Sequence, residues 1–313
     1  MSTSVRVGTE STATLGGRRE TLISRIARQT GRMGLLFPAV ALMAVFLVGP
    51  IAYSVYGSLT NAALSGYKAA NPEFVGLENY VELLTSGAFW KAVLLTVIFV
   101  FASAVVGQNI LGLALAMLMR KAPKILSTLV GGVVVIAWVM PEIVAAFALY
   151  AFFSTDGTLN VLLSYIGLGG TTWLLTFPMF SVIMANIWRG TAFSMMVYSA
   201  ALAEVPPEIQ EAAKVDGARG WQRFFFVTLP MIKGSISTNL LLTTLQTLGV
   251  FTLLWVMTGG GPGTQSTTLP VMAYQEAFKN SLIGYGTAIA TVTIVLGALF
   301  ALVYIRALKP EVD

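Results

Sequence analysis

A chain of 313 residues that is 56% hydrophobic and 11% charged has too little polar material to coat a soluble globule, whose charged fraction is about 25%. Its net charge of +5 comes without a single cysteine or histidine, which excludes disulfides, thiol nucleophiles, zinc sites of the usual kinds and the ordinary general base of neutral pH. Unbonded backbone is costly in hydrocarbon, so spanning segments must be helices or a closed barrel, and long unalternated apolar runs point to helices.

In chain order, residues 1–32 form a cytoplasmic tail rich in Ser, Thr, Gly and Arg. In its last part Leu22, Ile23, Ile26 and Ala27 alternate with Arg25, Arg28 and Arg32. This stretch reads either as a short amphipathic helix on the inner leaflet or as a cationic stop that orients the first span. Six apolar runs follow, over Met33–Leu59, Ala92–Met119, Leu126–Phe153, Phe180–Ala203, Ile232–Met257 and Tyr285–Ile305. Each is long enough for the roughly 20 residues that cross a bilayer. The expected architecture is an all-α membrane protein with a six-helix domain over 33–307 and a C-terminal tail at 308–313.

The Lys/Arg distribution orients it, because cationic flanks stay inside. With both termini cytoplasmic, the outside holds only Lys68, Lys91 and Lys279, and Arg189 lies within a span. All other members of the 19 fall inside, so the net charge reports topology and gives no support for nucleic-acid binding. The outer loops carry Gly and Pro turn signals, among them "TGGGPGTQS". The inner side has a tight turn, "RKAPK", and one sizeable loop, 204–231.

That loop is the least membrane-like part of the molecule. In "PPEIQEAAKVDGA" the prolines at 206 and 207 suit the first turn of a helix, and Gly217 suits its C-terminal cap. A second helix, "RGWQRFFFVTL", has an aromatic face from Trp221, Phe224 and Phe225 and is expected to end at Pro230. On physical grounds the loop reads equally as a docking surface, with small Ala212 and Ala213 beside Glu211, or as amphipathic helices resting on headgroups.

Inside the spans, Glu142 follows Pro141 and Arg189 follows Trp188. At about 1.5 Å per residue they reach similar depth, with Asn186 one turn from Arg189. Intramembrane charges line a water-filled path or pair with one another, so a translocation site and a structural ion pair both remain open. Gln108, Asn109, Asn239 and Gln246 read as amides that bridge helices, Pro141 as a kink, and the glycines at 107, 112, 131 and 132 as close-packing points.

The loop resembles a known family. Permease subunits of binding-protein-dependent ABC importers carry the pattern E-A-A-(x)3-G-(x)9-I-x-L-P, which docks into the ATPase. Here Glu211, Ala212, Ala213, Gly217, Leu229 and Pro230 match it, with Val227 at the Ile position. The stretches "FVGLENYVELLTSGAFWKAVLLT", "TDGTLNVLL", "WQRFFFVTLPM" and "MTGGGPGTQSTTLPVMAYQEAF" are similar to carbohydrate-uptake permeases of the maltose and glycerol-phosphate type. No large inserted outer domain is present.

The resemblance implies a type I ABC importer permease fold in a bacterial or archaeal cytoplasmic membrane. It implies four kinds of partner: a second permease, two ATPase subunits, an extracytoplasmic solute-binding protein and a sugar cargo. Glu211, Ala212, Ala213, Asp216 and Gly217 would couple to the ATPase. On the depth argument above, Glu142, Asn186 and Arg189 would line the substrate pathway, with Trp138 or Trp188 stacking on a sugar ring; the resemblance itself places Trp188 and its neighbours near that pathway. The chain lacks a G-x-x-x-x-G-K-[ST] loop, so ATP and Mg are expected on the partner ATPases and no cofactor or metal on this chain. Glycerol phosphate or a polyol is the alternative cargo. An ion-gradient-driven carrier with Glu142 as its ion site is the alternative class, and a membrane enzyme fits least.

Overall fold

The computed structural model describes residues 37–307. The expectations for the tails 1–32 and 308–313, and for the first residues of the first span, lie outside the described residues. The chain divides into two units at Tyr53 and Ser54. The described part of the first is helical and belongs to α1 (Phe37–Ser58), whose turns widen to π-helical over Ala44–Val48.

The second unit starts within the last turn of α1, passes a short helical turn at Tyr67–Ala70, and continues with α2 (Glu78–Thr85) and α3 (Gly87–Lys121). Ser86 starts α3 by accepting the Phe89 N–H at 3.4 Å, which satisfies one of the donors a helix leaves unpaired at its start. Next come α4 (Lys124–Val139), α5 (Glu142–Phe153) and α6 (Thr158–Tyr165). The expected third span is therefore two helices. Pro141 lacks an N–H and disfavours helical backbone at the residue before it, and Met140 and Pro141 take ψ of 133° and 135°. The kink read from Pro141 is a full break.

The long α7 (Pro178–Ala203) leads into α8 (Pro207–Val215), α9 (Gly220–Met231), α10 (Lys233–Leu248) and α11 (Thr252–Met257). The expected fifth span is likewise divided, at Gly249–Phe251. After α12 (Leu269–Tyr274) the described residues end in α13 (Ile283–Ala307). Among the described residues the only β feature is an isolated bridge between Thr60 and Phe74. Four stretches are long and apolar enough to cross a membrane: α1, α3, Glu142–Tyr165 and α13. A fifth is added if α9 and α10, bent by 69°, form one span.

Three apolar clusters hold the second unit together. One joins Phe99 of α3, Ala146 and Phe153 of α5, Val182 of α7 and Leu254 of α11. Another joins Leu83, Phe89, Leu269 and Ile289. The third packs Ala116 of α3 against Met195, Tyr198 and Leu202 of α7 and Ile232 at the α9–α10 bend. Helices in lipid gain little from hydrophobic association and rely on close approach. That approach is visible where α3 meets α7: a Cβ on Gly112 would lie 2.4 Å from Ser194 Cβ, and one on Gly107 would lie 2.3 Å from Ile187 Cδ1. Gly131 is similarly tight against Met119, but Gly132 faces open space and is not a packing point.

Candidate functional site

The two helix breaks meet. Glu142 is the first residue of α5, directly after the Pro141 break, and its Oε1 accepts the backbone N–H of Leu253 at 3.2 Å. Leu253 stands in the first turn of α11, directly after the other break, where helix N–H groups have no intrahelical acceptor. The second carboxylate oxygen of Glu142 lies 4.0 Å from Arg189 Nη2 on α7, with the two side chains 28% and 26% exposed. Among the described residues, Arg189 Nε is buried without a hydrogen-bond acceptor. One carboxylate thus ties three helical segments, while its cationic partner keeps an unused donor. Four residues along the chain from this pair, across the Pro141 break on one side and one turn of α7 on the other, Trp138 of α4 stacks on Phe193 with ring centroids 5.9 Å apart and planes 29° apart. The pairs 138/193 and 142/189 form successive rungs.

The other pathway residues go elsewhere. Asn186 is 3% exposed and donates to Ser103 Oγ at 2.8 Å and to Thr247 Oγ1 at 3.3 Å, so it bridges α3, α7 and α10 and does not join Arg189. Trp188 is half-exposed and lines a separate apolar cavity of about 550 Å³ with Phe152, Phe153, Leu159, Trp173 and Phe180. The helix-bridging reading of the amides holds for three of them. Gln108 donates to the Asn186 carbonyl at 3.0 Å. Asn239, fully buried, donates to Asn109 Oδ1 at 2.8 Å and to Ser194 Oγ at 2.9 Å, and the Tyr198 hydroxyl also donates to Asn109 Oδ1.

In the inner loop, Pro207 opens α8 and Glu208 and Lys214 sit at the ends that suit the helix dipole. The helix stops in a Schellman turn. The Gly217 N–H donates to the Lys214 carbonyl at 3.1 Å and the Ala218 N–H to the Ala213 carbonyl at 3.0 Å. Gly217 takes φ of +81°, which costs a residue without Cβ little. A bond of 2.8 Å from Gln210 Nε2 to Thr228 Oγ1 ties α8 to α9. Glu211, Ala212, Asp216 and Gly217 are exposed, Ala213 is half-buried, and Val215 is 87% exposed.

The aromatic face of α9 differs from its expected composition. Trp221, Phe225 and Phe226 are exposed, whereas Phe224 is half-buried. The turn over Phe224–Thr228 is π-helical, and its wider i→i+5 spacing brings Phe226 rather than Phe224 beside Trp221, with centroids 6.2 Å apart. Pro230 lies within the last turn of α9, and the sharp bend comes two residues later, at Ile232.

An aromatic cluster escaped the sequence reading. Phe251 stacks on Trp255 at 5.7 Å, Tyr274 meets both, and Phe278 follows at 5.2 Å. Lys279 Nζ lies 4.5 Å from the Trp255 ring centroid, a cation–π distance. The available signal was two i, i+4 aromatic pairs, 251/255 and 274/278, but nothing local says that those pairs meet.

Residues 108–313 match the model of the family described as binding-protein-dependent transport system inner membrane component. The chain is 31% identical over 290 residues to the trehalose/maltose transport system permease protein of Thermococcus litoralis, covering 91% of this chain and 96% of that one. It is 33% identical over 285 residues to the sulfoquinovosyl glycerol transport system permease protein of Agrobacterium fabrum, covering 88% and 90%. Among solved structures, a chain of a bacterial ABC transporter involved in the import of the acidic polysaccharide alginate superposes with a TM-score of 0.77 at 23% identity, covering 93% and 99%. That likeness establishes the fold.

Proposed function

From the premise that the chain belongs to the family of inner membrane components of binding-protein-dependent transport systems, we propose that it is one of two permease subunits of an ATP-driven sugar importer. In this reading six helices span the cytoplasmic membrane with both termini inside. A solute-binding protein delivers cargo at the outer face, a second permease completes the pathway, and two ATPase subunits that hold ATP and Mg sit below. The chain itself performs no bond chemistry.

The observation that carries this reading is the exposed, rigidly ended α8. A motor stroke is transmitted only through a joint that does not itself bend. The Schellman turn at Gly217 and the Gln210–Thr228 bond stiffen the joint, while Glu211, Ala212 and Asp216 face outward from it. Motion of the loop reaches α7 and α10 directly, because it is the connection between them. The Glu142 bridge between the two helix breaks lies where such a displacement would alter the pathway.

For the cargo, full-length similarity to permeases named for trehalose/maltose and for sulfoquinovosyl glycerol supports a glycoside. We infer a neutral cargo over glycerol phosphate, since Glu142 offsets the charge of Arg189 at 4.0 Å, and a di- or oligosaccharide over a polyol on the strength of those similarities. Trp188 supplies an aromatic face on α7, and Trp138 supplies one on α4 beside Phe193. The test is uptake of labelled trehalose, maltose and glycerol phosphate into proteoliposomes carrying the complete importer, with ATP inside or with an imposed ion gradient alone. ATP-dependent sugar uptake that Glu211→Ala abolishes is expected. Uptake driven by the gradient without ATP would overturn the reading.

A further inference from the structure

We propose that the inner end of α3 and the loop helices α8 and α9 enclose a binding site for a phosphate group, supplied by the headgroup of an anionic phospholipid. The site is a cavity of about 410 Å³ lined by Arg120, Lys121 and Arg223, with Gln210 and Thr228 on one wall and apolar Met117, Leu202 and Phe224 completing it. No carboxylate lines it, and among the described residues none of the three cations has a carboxylate within ion-pair distance.

Two of the cations have donors left for a ligand. Arg120 Nη1 donates to the Leu202 carbonyl at 3.0 Å, which anchors the side chain while leaving the rest of its five-donor fork available. Arg223 Nε is buried and without an acceptor among the described residues. A buried charged donor left unpaired is costly, and phosphate oxygens are the acceptors that a guanidinium fork matches best. Cationic pockets between helices at the inner face suit lipid headgroups.

The apolar part of the lining distinguishes a lipid from a free anion. Inorganic phosphate has no use for Met117, Leu202 and Phe224, whereas a phospholipid has a glycerol and acyl stem to lay against them. Trp221, Phe225 and Phe226 stand exposed on the same helix, α9, and an apolar Trp/Phe face on a helix beds into the boundary between headgroups and acyl chains. The site rests on the reading above that this end faces the cytoplasm. A headgroup here would touch both the end of α3 and the joint formed by α8 and α9.

The test uses the assembled importer in nanodiscs of phosphatidylcholine with a minor fraction of phosphatidylglycerol, and native mass spectrometry reads the lipid that stays bound. Retention of phosphatidylglycerol by the unaltered complex and by Lys233→Gln is expected, with about tenfold weaker retention in Arg223→Gln and in Arg120→Gln, the scale of one lost charge-assisted contact. Binding of inorganic phosphate at millimolar concentration, without lipid retention, would keep the phosphate site and reject the lipid source. Equal retention in all variants, or retention only after the ATPase is stripped away, would overturn the site. Because the readout is lipid and not sugar, it can fail while uptake succeeds, and the reverse.

Discussion

Glu142 and Leu253 stand 111 residues apart in sequence, yet the carboxylate of the first accepts the backbone N–H of the second at 3.2 Å. Each stands in the first turn of a helix that resumes after a break, so the contact fastens one interruption to the other. Arg189, 4.0 Å from the same carboxylate, holds the third corner. The charge in the middle of the chain thus has a structural task and a position on the proposed pathway at once.

Replacing Glu142 separates those tasks. Glu142→Ala leaves the Leu253 N–H and Arg189 without their acceptor and should cost about 1–3 kcal/mol of stability, with uptake reduced about tenfold or more. Glu142→Gln keeps an amide oxygen for Leu253 but no charge for Arg189, so its melting temperature should recover while uptake stays low. Identical melting and uptake for both variants and the unaltered complex would reject the bridge.

At Gly217 the expected effect is conformational. A Cβ there meets nothing within 4 Å, but φ is +81°. Gly217→Val should therefore destabilise the turn by about 1–2 kcal/mol and raise the ATP hydrolysed per sugar imported, while Gly217→Asn, which tolerates this backbone region, should do so less. The ratio of phosphate released to sugar taken up in proteoliposomes measures it.

Asn239 offers a test of the buried polar layer. Its Nδ2 donates to Asn109 and Ser194, so Asn239→Leu strands their acceptors and should lower stability in detergent by about 1–3 kcal/mol. Asn109→Leu should do likewise, and the double variant should lose less than the sum because the two share one bond. Additive losses would show that they act separately.

The α3–α7 contact predicts an order between two similar substitutions. Gly107→Ala meets the flexible end of Ile187, whereas Gly112→Ala meets the Met195 backbone nitrogen at 2.9 Å as well as Ser194. Overpacking costs typically about 1–3 kcal/mol, and Gly112→Ala should sit at the upper end while Gly107→Ala relaxes. Thermal unfolding of the two variants side by side gives the answer.

Much of this was legible beforehand because the governing physics is local. An apolar run long enough for a bilayer marks α1, α3 and α13. A proline pair, good helix formers and a glycine mark α8 and its end, and Pro141 marks a disruption in the third span. The division at Gly249–Phe251 was missed, since no proline announces it and the residues around it remain apolar. The aromatic face of α9 was misread because the π-helical turn at Phe224–Thr228 changes the period on which the reading relied.

By itself, then, the sequence determined the solvent of the protein, its helical nature, the charged joint and its family resemblance, all of which follow from composition and short-range spacing. Only the tertiary structure decided how the polar residues divide: Asn186 went to the layer between helices, Glu142 and Arg189 to the junction of two breaks, and Trp188 to an apolar cavity. The reason is physical. An intramembrane polar group takes whichever partner the folded neighbours bring within about 3 Å, and neighbours from remote segments cannot be read from spacing along one helix.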